Sequence, residues 1–197
     1  MKFRTPMMIA AAMSVSACGI NSVPTADENV KAKWADVQAD YQRRANLIPN
    51  LVATVKGSVQ GEDKVLTDVI NARSKATAIQ VSGDDLTDPA KMQAFQSAQG
   101  QLNGSLSRLL ATVEAYPDVK SQANFQTLMS QLEGTENRIT IAIRDYNEAV
   151  QAYNTRIRTF PDAIGAKVFY GAKPKTPYQA TTPGAENAPS VDFGNMS

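Results

Sequence analysis

The sequence predicts an all-α protein, an antiparallel four-helix bundle of long helices, and three observations carry that expectation. Apolar residues recur at spacings of seven, with others three or four apart, along most of the chain. Glycine, proline and short polar clusters interrupt these stripes at only a few places, which reads as turns within one domain. Aromatic residues make up 7% of the composition and β-branched runs are rare, so sheet is disfavoured. Amphipathic helices joined by short turns bury their stripes against one another, and a bundle does this with the fewest elements.

The first segment stands apart from that body. Lys2 and Arg4 flank the start of an apolar run, Met7 to Ala17, that falls short of the roughly 20 residues needed to cross a bilayer and has signal-peptide length. Val15-Ser16-Ala17-Cys18 looks like a bacterial lipobox, which makes residues 1–17 a lipoprotein signal peptide and Cys18 the acylated residue. Acyl chains hold a protein at a bilayer because each buried CH₂ contributes about 0.8 kcal/mol. Gly19 follows, where an aspartate would resemble an inner-membrane retention signal, so an outer-membrane address is favoured if the organism has one. Residues 18–26 read as a short tether, and 27–170 as the helical domain.

The first helix is expected from near Asp27, with Asp27 or Thr25 as its cap, to about Lys56. Trp34, Tyr41, Ile48 and Val55 recur every seven residues, with Val30, Val37 and Leu51 between them. Two residues depart from the pattern. Arg44 falls where an apolar residue is expected, and Pro49 removes a backbone bond and pushes against the Ala45 carbonyl, at a cost of about 3 kcal/mol unless packing supports the bend. Gly57 and Gly61 bracket a pause. Uninterrupted helix from Asp27 to Ile79 would be about 80 Å long, too long for any later helix to cover, so a break is expected there. A second helix follows from Glu62 to about Gln80.

Asp88 or Thr87 as cap with Pro89 at the first position starts a third helix, carrying Phe95, Leu102, Leu109 and Tyr116 at intervals of seven. Tyr116-Pro117-Asp118 ends it, and Ser121 is a candidate cap for the fourth. Phe125, Leu132, Ile139, Tyr146, Tyr153 and Phe160 make the longest heptad series in the chain, stopped by Pro161. Ala163 to Tyr170 is apolar apart from Lys167 and is expected to pack on the end of the bundle. Proline, glycine, threonine and alanine dominate thereafter, so 171–197 reads as a flexible tail, in which Val191-Asp192-Phe193 could dock to another protein.

Composition limits the chemistry. The chain has no histidine and one cysteine, Cys18, which excludes an internal disulfide, a zinc cluster and a histidine-dependent triad. Charge is nearly balanced, with 20 basic and 19 acidic residues, and cleavage before Cys18 would remove Lys2 and Arg4. Nothing there suggests nucleic acid as a partner. Glu133, Glu136 and Asp145 share one helix without the histidines of a di-iron bundle, and read as a solvated or ion-paired face. No catalytic residue, metal site or cofactor is expected.

Polar residues within the apolar stripes are the remaining candidates. A buried Arg44 needs a carboxylate, and Glu136 or Glu133 is the candidate across the bundle. Asn147 and Asn154 put two amides on one helix face, and Asn50 lies in sequence near the freed Ala45 carbonyl. Arg44, Asn50, Glu136, Asn147 and Asn154 could line a polar cleft for a ligand or peptide. They could equally fix helix register and satisfy the proline bend, and this structural reading is preferred.

Arg43-Arg44, Asn46-Leu47-Ile48-Pro49-Asn50-Leu51-Val52, Val55-Lys56-Gly57, Ala72-Arg73-Ser74, Asn124-Phe125, Thr135-Glu136-Asn137-Arg138-Ile139, Tyr146-Asn147, Tyr153-Asn154 and Phe160-Pro161 together resemble the LemA family over roughly Val30 to Phe169. The resemblance implies a helical bundle held outside the cytoplasm by an N-terminal anchor, with no established enzymatic activity. It also suggests a TPM-domain membrane protein or a membrane metalloprotease as partner. Members usually carry a transmembrane helix where this chain has a lipobox. The expectation is an interaction or scaffold protein, bound to the lipid bilayer through acylated Cys18, with a periplasmic ligand-binding module around Arg44 as the alternative.

Overall fold

A computed structural model describes residues 21–57, 59 and 61–179. The leader, Cys18 and the Val191-Asp192-Phe193 segment lie outside these residues. The elements are α1 (Ser22–Lys56), α2 (Asp63–Ala78), a 3-10 turn η1 (Asp84–Thr87), α3 (Pro89–Val113), α4 (Pro117–Lys120), α5 (Ala123–Arg156) and α6 (Asp162–Val168). The described residues form an all-α fold.

Helices α1 and α5, of 35 and 34 residues, are each about 50 Å long and form the main pair. They run antiparallel. Arg156 lies at the Ser22 carbonyl, Lys33 faces Asp145 and Arg44 faces Glu136, so one number rises as the other falls. The shorter α2 runs antiparallel to α1, with Arg73 at Ala45 and the following Val81 at Trp34. By contrast, α3 packs on α2 through Gln99 and Ala76 and runs parallel to α1, Phe95 meeting Trp34 and Gln99 meeting Arg44.

The core has two halves. One gathers Val23, Val30, Trp34, Val37 and Tyr41 with Phe95, Ile139, Tyr146 and Tyr153. The other gathers Ile48, Leu51 and Val55 with Leu66, Val69, Leu102, Leu109 and Phe125. Between them, at the level of Arg44, lies a layer of buried polar side chains contributed by α1, α3 and α5: Arg44, Gln96, Gln99 and Thr135. The heptad stripes thus continue through both halves, and the departure at Arg44 marks their boundary.

The expected break between the first two helices is present, and Gly61 occupies the left-handed region there with φ 85°, where a side chain would be strained. Asp88 caps α3 as its sequence suggests, its Oδ1 accepting from the backbone N–H of Ala90 at 2.9 Å and of Lys91 at 3.3 Å.

Several expectations need correction. Helix α1 starts at Ser22, so residues 22–26 are helix and not tether, and neither Asp27 nor Thr25 is the cap. Pro24 is tolerated because first-turn N–H groups lack intrahelical partners anyway. Ser121 does not cap α5, since its hydroxyl donates to the Asp118 carbonyl, and an extra turn, α4, precedes it. Phe160 lies beyond the end of α5 and is 82% exposed, so the last member of the heptad series is not core. Ala166 packs into the bundle, but Ile164, Val168, Phe169 and Tyr170 are exposed. Residues 172–178, expected to open a flexible tail, instead form an extended strap along α5, held by side-chain amides.

Candidate functional site

The sequence-selected polar residues occupy three separate places. At the polar layer, Arg44 is 3% exposed. Its Nη1 donates to Glu136 Oε2 at 3.2 Å, and its Nη2 donates to Gln99 Oε1 at 2.9 Å. The guanidinium also lies 4.9 Å from the centre of the Tyr41 ring. Glu136 is half exposed, so the pair joins a buried cation to a hydrated carboxylate, and the desolvation cost falls mainly on the arginine. The Gln99 amide relays the contact, its Nε2 donating to the Ala76 carbonyl at 3.4 Å. Arg44 Nε is buried without a partner among the described residues. Beside this layer a groove of about 330 Å³ is lined by Gln38, Tyr41, Gln42, Thr77, Gln80 and Gln99, among others.

Pro49 lies inside the continuous helix α1, and the carbonyl it frees is met by a residue that sequence reasoning assigned no role. Arg73 Nε donates to the Ala45 carbonyl at 2.7 Å, so the acceptor freed by the proline is satisfied from α2. Asn50 is exposed, on the neighbouring turn, and takes no part in that bond. The long guanidinium arm of α2 spans the gap between helices.

The third place is the strap. Asn154 Nδ2 donates to the Lys175 carbonyl at 2.9 Å, and the Lys175 N–H donates to Asn154 Oδ1 at 2.8 Å. Asn147 repeats this with Tyr178, at 2.9 and 2.8 Å. Each amide therefore replaces a strand neighbour. The spacing fits both elements: seven residues of helix rise about 10.5 Å, and three residues of extended chain cover about 10 Å. Since Asn154 meets Lys175 and Asn147 meets Tyr178, the strap runs antiparallel to α5. Gly171, in the left-handed region with φ 53°, turns the chain out of α6 to begin it.

Other contacts hold the strap from below and from the side. Tyr146 donates its hydroxyl proton to the Thr176 carbonyl at 2.7 Å, the Thr176 N–H donates to the Leu86 carbonyl at 2.7 Å, and the Tyr41 and Tyr178 hydroxyls lie 2.6 Å apart. Lys175 is buried, with its ammonium 2.9 Å from Asp27 and 3.3 Å from the Gly83 carbonyl. Burial works against the Asp27 charge, yet hydrogen bonds from Lys31 and Lys175 outweigh it and hold the carboxyl below its ordinary 3.8. Burial, reinforced by the Tyr178 neighbour, pushes Tyr41 well above the ordinary phenol range, and burial alone does so for Tyr146.

Arg44 with Glu136 and the two asparagines therefore lie at different levels of α5, and Asn50 belongs to neither group. What the arrangement does chemically is internal. It neutralises a cation, fixes the register of four helices and seals a strap over two tyrosines. Among the described residues no cluster of carboxylates is placed to hold a metal, and no helix is long and apolar enough to cross a membrane.

Comparison with known proteins adds the following. The profile of the LemA family matches residues 33–193. Magnetosome protein MamQ 2 of Paramagnetospirillum magneticum is 27% identical over 157 residues, covering 72% of this chain and 58% of that protein. Magnetosome protein MamQ of Magnetospirillum gryphiswaldense is similar to the same degree. Protein LemA of Metamycoplasma hominis is 27% identical over 125 residues, covering 63% of this chain and 52% of that protein. The chain spans little more than half the length of these relatives.

Proposed function

Because this chain belongs to the LemA family, we propose that it is a lipid-anchored helical bundle that scaffolds or modulates a complex of the cell envelope and performs no catalysis of its own. The observation that supports this most is where the polar side chains are spent. Arg44, Glu136, Asn147 and Asn154, the residues with most chemical potential in the sequence, bond within the fold and rigidify it. A bundle whose internal polar groups, apart from Arg44 Nε, bond to one another suits a binding platform. Acylated Cys18 would hold it at a bilayer, on the periplasmic face and at the outer membrane where the organism has one. Its partner would then be an envelope or membrane protein, for which a TPM-domain protein or a membrane metalloprotease is the family-based candidate.

In-cell crosslinking with mass spectrometry tests this, using the full chain beside a Cys18→Ala variant. The expected result is one dominant envelope partner that disappears when the anchor is lost. Crosslinks confined to copies of the chain itself would overturn the scaffold reading.

The unpartnered Arg44 Nε favours a second reading, in which the polar layer and its neighbouring groove receive a polar ligand. Arg44→Met separates the two. On the scaffold reading, an apolar side chain of similar length changes stability by about 2 kcal/mol or less in either direction, because the lost ion pair is offset by relief of desolvation. Crosslinking to the partner is then retained. If that partner is lost while thermal unfolding is unchanged, the polar layer is a binding site.

A further inference from the structure

Exposed large apolar side chains are concentrated in one place among the described residues. Among the described residues, those exposed by more than a third of their surface are Ile70, Ile141 and five others, and all five fall between Phe160 and Tyr170. Phe160 is 82% exposed, Val168 69% and Phe169 66%. Folding in water normally scatters such side chains singly, whereas a concentrated patch marks a surface that something covers.

Helix α6 presents this patch deliberately. Ile164 and Val168 are four residues apart and lie on one face, while Ala166, about 160° round the helix from Val168, is the residue that seats α6 in the core. The helix is thus amphipathic in an inverted sense, with its smallest apolar residue inward and its largest outward. Lys167 sits at the flank, where its stem can follow the apolar face while its ammonium stays in water. Arg158 and Lys173, both exposed, bracket the segment in sequence. Three acidic residues at this end are ion-paired: Asp162 faces Arg156 at 3.7 Å, Asp27 faces Lys31 and Lys175, each at 2.9 Å, and Glu28 faces Lys31 at 2.9 Å. Asp84, in the cleft beside Tyr170 and Lys173, has no cation against it among the described residues.

The position of the patch names its occupant. Arg156 links the end of α5 to both the Ser22 carbonyl, at 3.2 Å, and Asp162 at the start of α6. Ser22 opens α1, so the patch lies at the end of the bundle from which the chain leads back to Cys18 and the apolar run Met7 to Ala17. We infer that α6 and its flanks, Phe160 to Tyr170, form a second membrane contact that inserts Phe160, Ile164, Val168 and Phe169 into the headgroup–acyl boundary of an anionic bilayer. This rests on the lipid-anchored reading for its orientation. The anchor then brings the patch to the surface, and the patch fixes how the bundle stands on it.

A single probe decides this. The full chain, acylated at Cys18, is reconstituted into vesicles of phosphatidylethanolamine and phosphatidylglycerol that carry a nitroxide-labelled lipid. An environment-sensitive fluorophore is attached through Val168→Cys in one sample and through Ile141→Cys, in the middle of α5, in another. The expected result is a blue-shifted, lipid-quenched probe at 168 and a water-like, unquenched probe at 141. Ile164→Ser with Phe169→Ser should reduce quenching at 168 about tenfold, with circular dichroism unchanged, because interfacial binding scales with buried apolar area. An unquenched probe at 168 on a chain that sediments with the vesicles overturns the second contact and leaves the anchor standing. If the chain fails to sediment through Cys18, the anchor reading falls, and the probe at 168 judges the patch alone: quenching by added vesicles sustains it and none overturns it.

Discussion

Replacing Trp34 with alanine should lower the free energy of unfolding by about 4 kcal/mol, out of a total of roughly 5–15 kcal/mol for a domain. Trp34 is 1% exposed and central to its half of the core, with ring centres of Phe95 at 5.3 Å and Tyr146 at 5.1 Å. Removing it leaves a cavity that three helices cannot close together, because α1, α3 and α5 are each pinned at the polar layer one turn beyond Tyr41. Its hydrogen bond matters less. The indole N–H donates to the Val81 carbonyl at 2.6 Å, but Gln38 donates to the same oxygen at 3.0 Å, so that acceptor keeps a partner. Trp34→Phe should therefore recover most of the loss. Trp34 is the only tryptophan, so urea unfolding must be followed by circular dichroism. A loss under about 1 kcal/mol would mean that this half of the core does not depend on Trp34.

Asn147→Ala combined with Asn154→Ala should free the strap while the helices remain folded. Four hydrogen bonds are removed, worth about 4 kcal/mol together at the usual net contribution. Ordering the strap costs about 1–2 kcal/mol for each residue, so the remaining contacts of Tyr178, Thr176 and Lys175 cannot hold it closed. Amide hydrogen exchange at Lys175 and Tyr178 should accelerate by at least about a hundredfold, equivalent to about 2.8 kcal/mol. Exchange in α1 and α5 should change far less. The titration of Tyr41 should also move down toward the ordinary phenol value, because burial and the adjacent Tyr178 are what raise it. Unchanged exchange at both amides would show that the tyrosines and Lys175 carry the strap without the asparagines.

Periodicity made the helices legible in the sequence, and stereochemistry made some of their ends legible. Asp88 before Pro89 is a cap because a carboxylate and a missing N–H are both suited to a helix start, and both facts are local. That Arg44 needs an anion on the facing helix was also readable, since a cation in an apolar stripe requires one. The sequence left Glu133 and Glu136 open, and the structure pairs Arg44 with Glu136. What escaped was non-local or aperiodic. Val23 stands seven residues before Val30, a continuation of the stripe that Pro24 obscured, although proline is harmless in a first turn. The partner of the Ala45 carbonyl could not be deduced from its neighbours, because Arg73 arrives from another helix. The strap has no repeat of its own. Its order resides in the spacing of Asn147 and Asn154, and that spacing has meaning only beside an extended chain of the matching length.

The strap also determines where the remainder of the chain is delivered. It leaves α6 beside Val23 and ends at Tyr178, paired with Asn147, nine positions and about 14 Å along α5 from Arg156, which lies at the Ser22 level. The N-terminal and C-terminal extensions therefore depart from different heights. If the end carrying Ser22 and α6 rests on a bilayer, whatever follows residue 179 starts well clear of the headgroups.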